Sequence, residues 1–215
     1  MKLQVQKLKI TPSGQSCWVS LSNGKLYLLP LDYVVQKKIK RNQDLSFRNF
    51  RQLRQRSITY QLTEAALRQI AFSPKTKYLL QQKLQIFCHK HHLKAPKTIA
   101  RVIKHLSQKG YLNDQKFIEY YLKKHHQKGI NLLKFELQRL GIDQALIREY
   151  ASIPEDQQII SIVKLIQKKH LTPQLWADYQ QQRRILSAIL RKGFSLSVAK
   201  SVIDDYLKNR YNRLP

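Results

Sequence analysis

Leu106-Ser107-Gln108-Lys109-Gly110-Tyr111-Leu112-Asn113-Asp114-Gln115-Lys116-Phe117 encodes the end of one helix, a tight corner and the start of another. Gly110 can take the left-handed conformation that closes a helix, because it has no Cβ to clash with its own carbonyl. Asn113 has a side chain suited to accept from the unpaired N–H groups of the next helix's first turn. With Asn113 as the cap, Leu112 and Phe117 stand at the two positions that form a hydrophobic staple. Asp114 then sits at a helix start, where a carboxylate is favoured by the backbone dipole.

The same logic returns downstream. A helix carrying Phe135, Leu137 and Leu140 ends at Gly141, with Ile142 before an Asp143 cap and Ile147 four residues on. Another, carrying Ile185, Leu186, Ile189 and Leu190, ends at Gly193, with Phe194, a Ser195 cap and Ala199. Gly141-Ile142 and Gly193-Phe194 lie about fifty residues apart, and His92-Leu93 is a weaker equivalent about fifty residues earlier, the spacing of a repeated supersecondary unit. Gly110-Tyr111 falls one helix later within its unit. Each copy is too small to bury its apolar face alone, so neighbours stack. The expected fold is mainly α: tandem three-helix repeats in a curved, elongated array. The division is residues 73–128, 129–170 and 171–215, after an N-terminal region of residues 1–72.

That N-terminal region reads as a small α+β unit. Asn23-Gly24 between apolar runs predicts a hairpin with a type I′ turn. Leu3 to Ile10 supplies a third strand, since a lone hairpin is marginal. Trp18 and Ser20 point one way and Val19 and Leu21 the other. A short helix begins near Val34-Val35. Ser46 caps a longer one, on which Phe47, Phe50 and Leu53 share a stripe and Arg48, Arg51, Arg54 and Arg56 fill other sides. Ser73-Pro74 reads as the cap and first residue of the helix after it.

Charge sets the partner class. The 215 residues hold 40 Lys and Arg against 13 Asp and Glu, a formal net charge of +27. Such a field favours a polyanion, single- or double-stranded DNA or a nucleoprotein, and makes association fast and salt-sensitive. No apolar run is long enough to span a bilayer, and the N-terminus lacks the apolar core of a signal peptide, so the expected location is the cytoplasm, with no membrane partner. Cys17 and Cys88 read as buried, reduced thiols.

Cys88-His89-Lys90-His91-His92 has metal-ligand residue types, but no second pair stands at finger spacing, so no metal and no cofactor are expected. Asp204 and Asp205 are adjacent on a helix and diverge, and there is neither a P-loop nor a dinucleotide turn. These patterns argue against an enzyme, and no catalytic residue is assigned. Phe117, Tyr111, Tyr120 and Tyr121 could stack on bases, but at helical spacing they read as core, as do Trp176 and Tyr179. The candidate contact residues are basic positions on helices whose apolar face is already assigned: Lys123, Lys124, Lys134, Arg139, Arg183, Arg184, Arg191 and Lys192.

The blocks Ile99-x2-Val102-Ile103-x2-Leu106-x3-Gly110-Tyr111-Leu112-Asn113-Asp114-x2-Phe117, Leu137-x3-Gly141-Ile142-Asp143-x3-Ile147 and Leu186-x3-Leu190-Arg191-Lys192-Gly193-Phe194 resemble the RecX family of bacterial regulators of the RecA recombinase. The resemblance covers about residues 70–207, and the β-rich start looks like the N-terminal extension of longer members. It implies a non-enzymatic protein that binds the RecA–DNA filament along its helical groove and modulates its ATPase, strand-exchange and coprotease activities; the expected state is a monomer. The alternative from the residues alone is a general nucleic-acid-binding protein without a recombinase partner.

Overall fold

The computed structural model describes residues 3–208. The chain divides into two compact units, residues 1–112 and 113–215.

The first unit opens with a four-stranded antiparallel sheet in the order β3-β2-β1-β4. Its strands are β1 (Leu3–Ile10), β2 (Ser16–Leu21), β3 (Leu26–Pro30) and β4 (Asp44–Leu45), the last a short edge strand that sequence reading missed. The hairpin lies at Asn23-Gly24, but its turn is not type I′. Only Gly24 has positive φ, +73°. The Gly24 N–H donates to Leu21 O at 2.9 Å and the Leu21 N–H to Lys25 O at 3.1 Å. This is a three-residue loop, a type I turn closed by a left-handed glycine. Cys17, Val19 and Leu21 face inward and are buried, while Trp18 is part-exposed on the other face.

Four helices complete the unit: α1 (Leu31–Gln36), between β3 and β4, then α2 (Phe47–Phe72), α3 (Lys77–Lys90) and α4 (Pro96–Gln108). The Ser46 hydroxyl caps α2 by accepting from the Asn49 N–H at 3.2 Å. This helix serves two cores. Leu53 packs with the sheet residues Val5, Val19 and Leu29. Further along, Ile58, Leu62 and Ala66 pack with Leu80 and Leu84 of α3 and Val102 and Leu106 of α4. Phe47 stands 81% exposed, so the expected stripe narrows to Phe50 and Leu53. The cap of α3 is Thr76, whose hydroxyl accepts from the Leu79 N–H at 3.1 Å, and not Ser73. Cys88 is buried at the end of α3, and burial raises its thiol pKa.

The second unit holds α5 (Asp114–Lys124), α6 (Ile130–Arg139), α7 (Gln144–Tyr150), α8 (Glu155–Lys168), α9 (Pro173–Ala177), α10 (Tyr179–Arg191) and α11 (Leu196–Leu207). The first three share one apolar cluster built on Phe117, Ile118, Leu137, Ile142 and Ile147. The others share a second, built on Ile162, Ile166, Ile185, Ile189, Phe194, Val202 and Ile203.

One device ends helix after helix. The Tyr111 N–H donates to Leu106 O at 3.0 Å and the Gly110 N–H to Ser107 O at 3.0 Å, the paired bonds of a Schellman motif. The same pair closes α6 at Gly141, with Ile142 donating to Leu137 O at 3.2 Å. It also closes α3 at His92 and α8 at His170, both non-glycine residues with φ of +52° and +50°. After Gly141, His170 and Gly193 comes an apolar residue that is buried: Ile142, Leu171 and Phe194. Asn113, Asp143 and Ser195 then cap the helices that follow, as expected. Ile142 and Ile147 share a cluster, as do Phe194 and Ala199. Leu112 and Phe117 do not: Leu112 is buried in the first unit's cluster and Phe117 in the second's.

A cationic cleft on the second unit

Helix α10 carries Arg183 and Arg184 one turn in from its capped start and Arg191 at its end. Its buried residues are Ile185 and Ile189, which fix the opposite face against α8 and α11. The arginines are thereby turned outward, where they line a shallow cleft with Lys169, Gln180, Ser187 and Ala188. Lys169 arrives from the C-terminal cap of α8. Four cations thus converge on one surface with no carboxylate lining it. Among the described residues none of the four has an acidic side chain within ion-pair distance. Their mutual repulsion is screened by solvent when the cleft is empty and relieved when an anion neutralises them.

Aromatic rings flank several of these basic groups. The Arg183 guanidinium lies 5.9 Å from the centre of the Tyr179 ring, one helical turn earlier. Arg139 stands in the same relation to Phe135 at 5.9 Å, and Lys124 to Tyr120 at 5.7 Å. Tyr179, Phe135 and Tyr120 are exposed, which corrects the expectation that Tyr120 and Tyr179 belong to the core. Tyr111 is exposed as well, whereas Phe117 is buried and Tyr121 stacks on it at 5.8 Å. On α5, Phe117 and Tyr121 stack four residues apart on the packed face, and Tyr120 stands at its edge, its ring 6.5 Å from Phe117 and still open to solvent.

Of the eight basic candidates, Arg183, Arg184 and Arg191 meet in this cleft. Lys192 lines a separate cleft with Lys164 and Lys168. Lys123, Lys124, Lys134 and Arg139 line neither, and sit on α5 and α6. Lys169 was not picked out from sequence, although the run Lys168-Lys169-His170-Leu171 repeats the pattern of a basic helix end before a left-handed corner.

A polar cluster ties α5 to α6 beside these surfaces. The Lys128 ammonium bonds both oxygens of Glu136, at 2.6 and 2.8 Å, and the Tyr121 hydroxyl donates to Glu136 Oε2 at 2.9 Å. Burial alone would raise the Glu136 pKa, but these two donors outweigh it and hold the carboxyl below its ordinary range. Burial and the same carboxylate push the Tyr121 hydroxyl up to about 12. His125 packs on the Tyr121 ring at 4.4 Å, and its pKa is lowered by burial first and by Lys128 next. Cys88 and its neighbouring histidines form no comparable cluster, and among the described residues no group of three potential ligands is placed to hold a metal.

No family model matches this chain. The chain is similar to the regulatory protein RecX of Bacillus pumilus, 27% identical over 195 residues, which cover 86% of this chain and 69% of that protein. It is also similar to regulatory protein RecX of Bacillus subtilis, 33% identical over 121 residues, 53% of this chain and 46% of that one. The match to the Clostridium perfringens regulatory protein RecX, 27% identical over 118 residues, likewise spans about half of both, 53% and 56%. Among solved structures, a crystal structure of regulatory protein RecX superposes with a TM-score of 0.68 at 14% identity, covering 94% of this chain and 99% of that one. RecX from Lactobacillus salivarius gives 0.58 at 21% identity, over 71% and 97%. The structures share the fold, mostly helical behind a small antiparallel sheet, and the sequence matches point the same way: the chain is similar to the RecX regulatory proteins in both sequence and fold.

Proposed function

We propose that this protein regulates the RecA recombinase by binding its DNA filament and repressing ATP hydrolysis, strand exchange and coprotease activity. The observation that supports this reading is the α10 cleft, in which Arg183, Arg184, Arg191 and Lys169 converge without a facing carboxylate. Guanidinium groups offer planar, paired donors that match phosphate oxygens. A net charge of +27 steers the protein toward such a polyanion over long range. Lys123, Lys124, Lys134 and Arg139 supply further cations on α5 and α6, and the rings beside Lys124 and Arg139 offer apolar contact. In this reading the three-helix repeats from residues 73, 129 and 171 serve to present successive basic helices to a long partner, and the protein acts as a monomer.

The competing reading is a general nucleic-acid binder. Co-sedimentation separates the two. A filament regulator is retained by RecA–DNA filaments at salt concentrations that release it from naked DNA. A simple polyanion binder loses both together, with a log–log slope of about −0.9 per duplex phosphate contacted. Arg183→Glu with Arg184→Glu removes retention on filaments and leaves helicity and melting unchanged. Equal release from filament and DNA at every salt concentration contradicts the regulator reading.

A further inference from the structure

A second cleft, on the same unit, has a different character. It is more enclosed than the arginine cleft, and its lining is mainly apolar rather than polar. Ile160 and Leu165 of α8 supply apolar side chains, and Lys164, Lys168 and Lys192 supply cations, with His126 at one side. Ile160 is 38% exposed although it is a large aliphatic residue. The polar atom at the base is already engaged: the Ser161 hydroxyl donates to Gln157 O at 2.9 Å and lies 3.2 Å from His126 O. No carboxylate lines the cleft, and among the described residues the three lysines form no ion pair.

Adjacent residues feed the two clefts. Lys168 and Lys192 face this one, and Lys169 and Arg191 the other. Successive helical residues point about 100° apart, so each basic pair at the ends of α8 and α10 is divided between two sites. The chemistry divides with them. A phosphodiester backbone suits planar guanidinium groups on a polar floor. Compact ammonium groups around an apolar floor suit carboxylates flanking a hydrocarbon side chain, with burial of that side chain supplying affinity and the lysines steering the approach.

We infer that this lysine-rimmed cleft docks an acidic segment of a partner protein, which inserts one apolar side chain against Ile160 and Leu165 while its carboxylates meet Lys164, Lys168 and Lys192. The inference stands on the cleft itself and does not depend on the identity of the filament partner.

The test uses the full chain and a short fluorescent peptide of Glu and Asp residues around a single Phe, read by anisotropy. Controls are the same peptide with Phe replaced by Ser, and a fluorescent oligothymidylate. The Phe peptide binds and the Ser peptide binds about tenfold more weakly, the loss expected for one buried apolar side chain. Ile160→Ser weakens the Phe peptide by a similar factor and leaves oligothymidylate binding unchanged. Lys164→Gln with Lys168→Gln on the exposed rim weakens the Phe peptide and lowers oligothymidylate binding far less, so the test survives a fold defect in the isoleucine variant. Arg183→Glu with Arg184→Glu has the converse pattern. Equal binding of the Phe and Ser peptides overturns the proposal, as does full competition by oligothymidylate or indifference to both cleft variants.

Discussion

Gly129→Ala should be among the most damaging single-methyl changes in this protein. The backbone of Gly129, at φ −71° and ψ 153°, is one that any residue can adopt, so alanine brings no conformational penalty of its own. At an ordinary helix N-cap, exchanging the two residues changes stability by about a kcal/mol at most. Here a Cβ would lie 2.2 Å from the carbonyl carbon of Gly193 and 2.3 Å from its oxygen and from the Phe194 nitrogen. Every one of those atoms is backbone, so no side chain can swing aside. Two hydrogen bonds hold the approach: the Gly129 N–H donates to Lys192 O at 2.8 Å and the Asn131 N–H to Gly193 O at 3.1 Å. Relieving the clash moves the segments apart by an ångström or more and stretches both bonds. Overpacking costs about 1–3 kcal/mol, and the two bonds contribute about 1 kcal/mol each. The expected loss is therefore about 3–5 kcal/mol, against a margin of about 5–15 kcal/mol for a typical domain. Gly110→Ala is the control. Its φ is +78° but nothing lies within 4 Å of the added methyl, so only the left-handed backbone term of about 1 kcal/mol applies. Urea unfolding followed by circular dichroism ranks the two. If Gly129→Ala unfolds at or above the midpoint of Gly110→Ala, the backbone contact between residues 129 and 193 is not made as described.

His170→Gly should stabilise the protein by about 1 kcal/mol, because His170 closes α8 with φ +50°, and a rise in thermal midpoint checks it. Phe117→Ala should cost about 3–5 kcal/mol, since the ring is 7% exposed and packed against Tyr121; an unchanged melt places that ring outside the core. Acidification should destabilise the fold in two steps. The folded-state pKa of His125 lies below its ordinary 6.5, so the unfolded chain takes up that proton first and stability falls as the pH drops through this range. Glu136, held below its ordinary 4.5, adds a second loss at lower pH. Glu136→Gln should abolish the lower step, and a pH series of urea midpoints reads both.

The corners were legible in the sequence because a glycine before an apolar residue and a capping side chain is a local signal. His92 was readable only through its place in the repeat, and His170 was not read at all, since histidine gives no hint that it will adopt positive φ. Gly129 shows another limit. It reads as a helix breaker, but its necessity comes from a backbone far along the chain, which no local pattern encodes. The type I′ turn at Asn23-Gly24 failed because the strand register placed three residues in the loop, and register is set by pairing with the rest of the sheet. Basic residues on α10 were legible as a group because their apolar face was plain. Their division from Lys192, and the recruitment of Lys169, depend on how α8 and α10 pack. The exposed rings of Tyr120 and Tyr179 were missed for a similar reason: aromatic content predicts a core, and only the observed packing shows which rings it leaves out.

We propose that the protein acts on a recombinase filament through the α10 cleft. ATP hydrolysis by RecA on single-stranded DNA, with this protein at amounts far below those that coat the DNA, tests it most directly. The parent chain should inhibit strongly, and the Arg183→Glu, Arg184→Glu variant should lose that inhibition at unchanged melting temperature. Inhibition only at saturating coverage of the DNA, or equal inhibition by the variant, would contradict it.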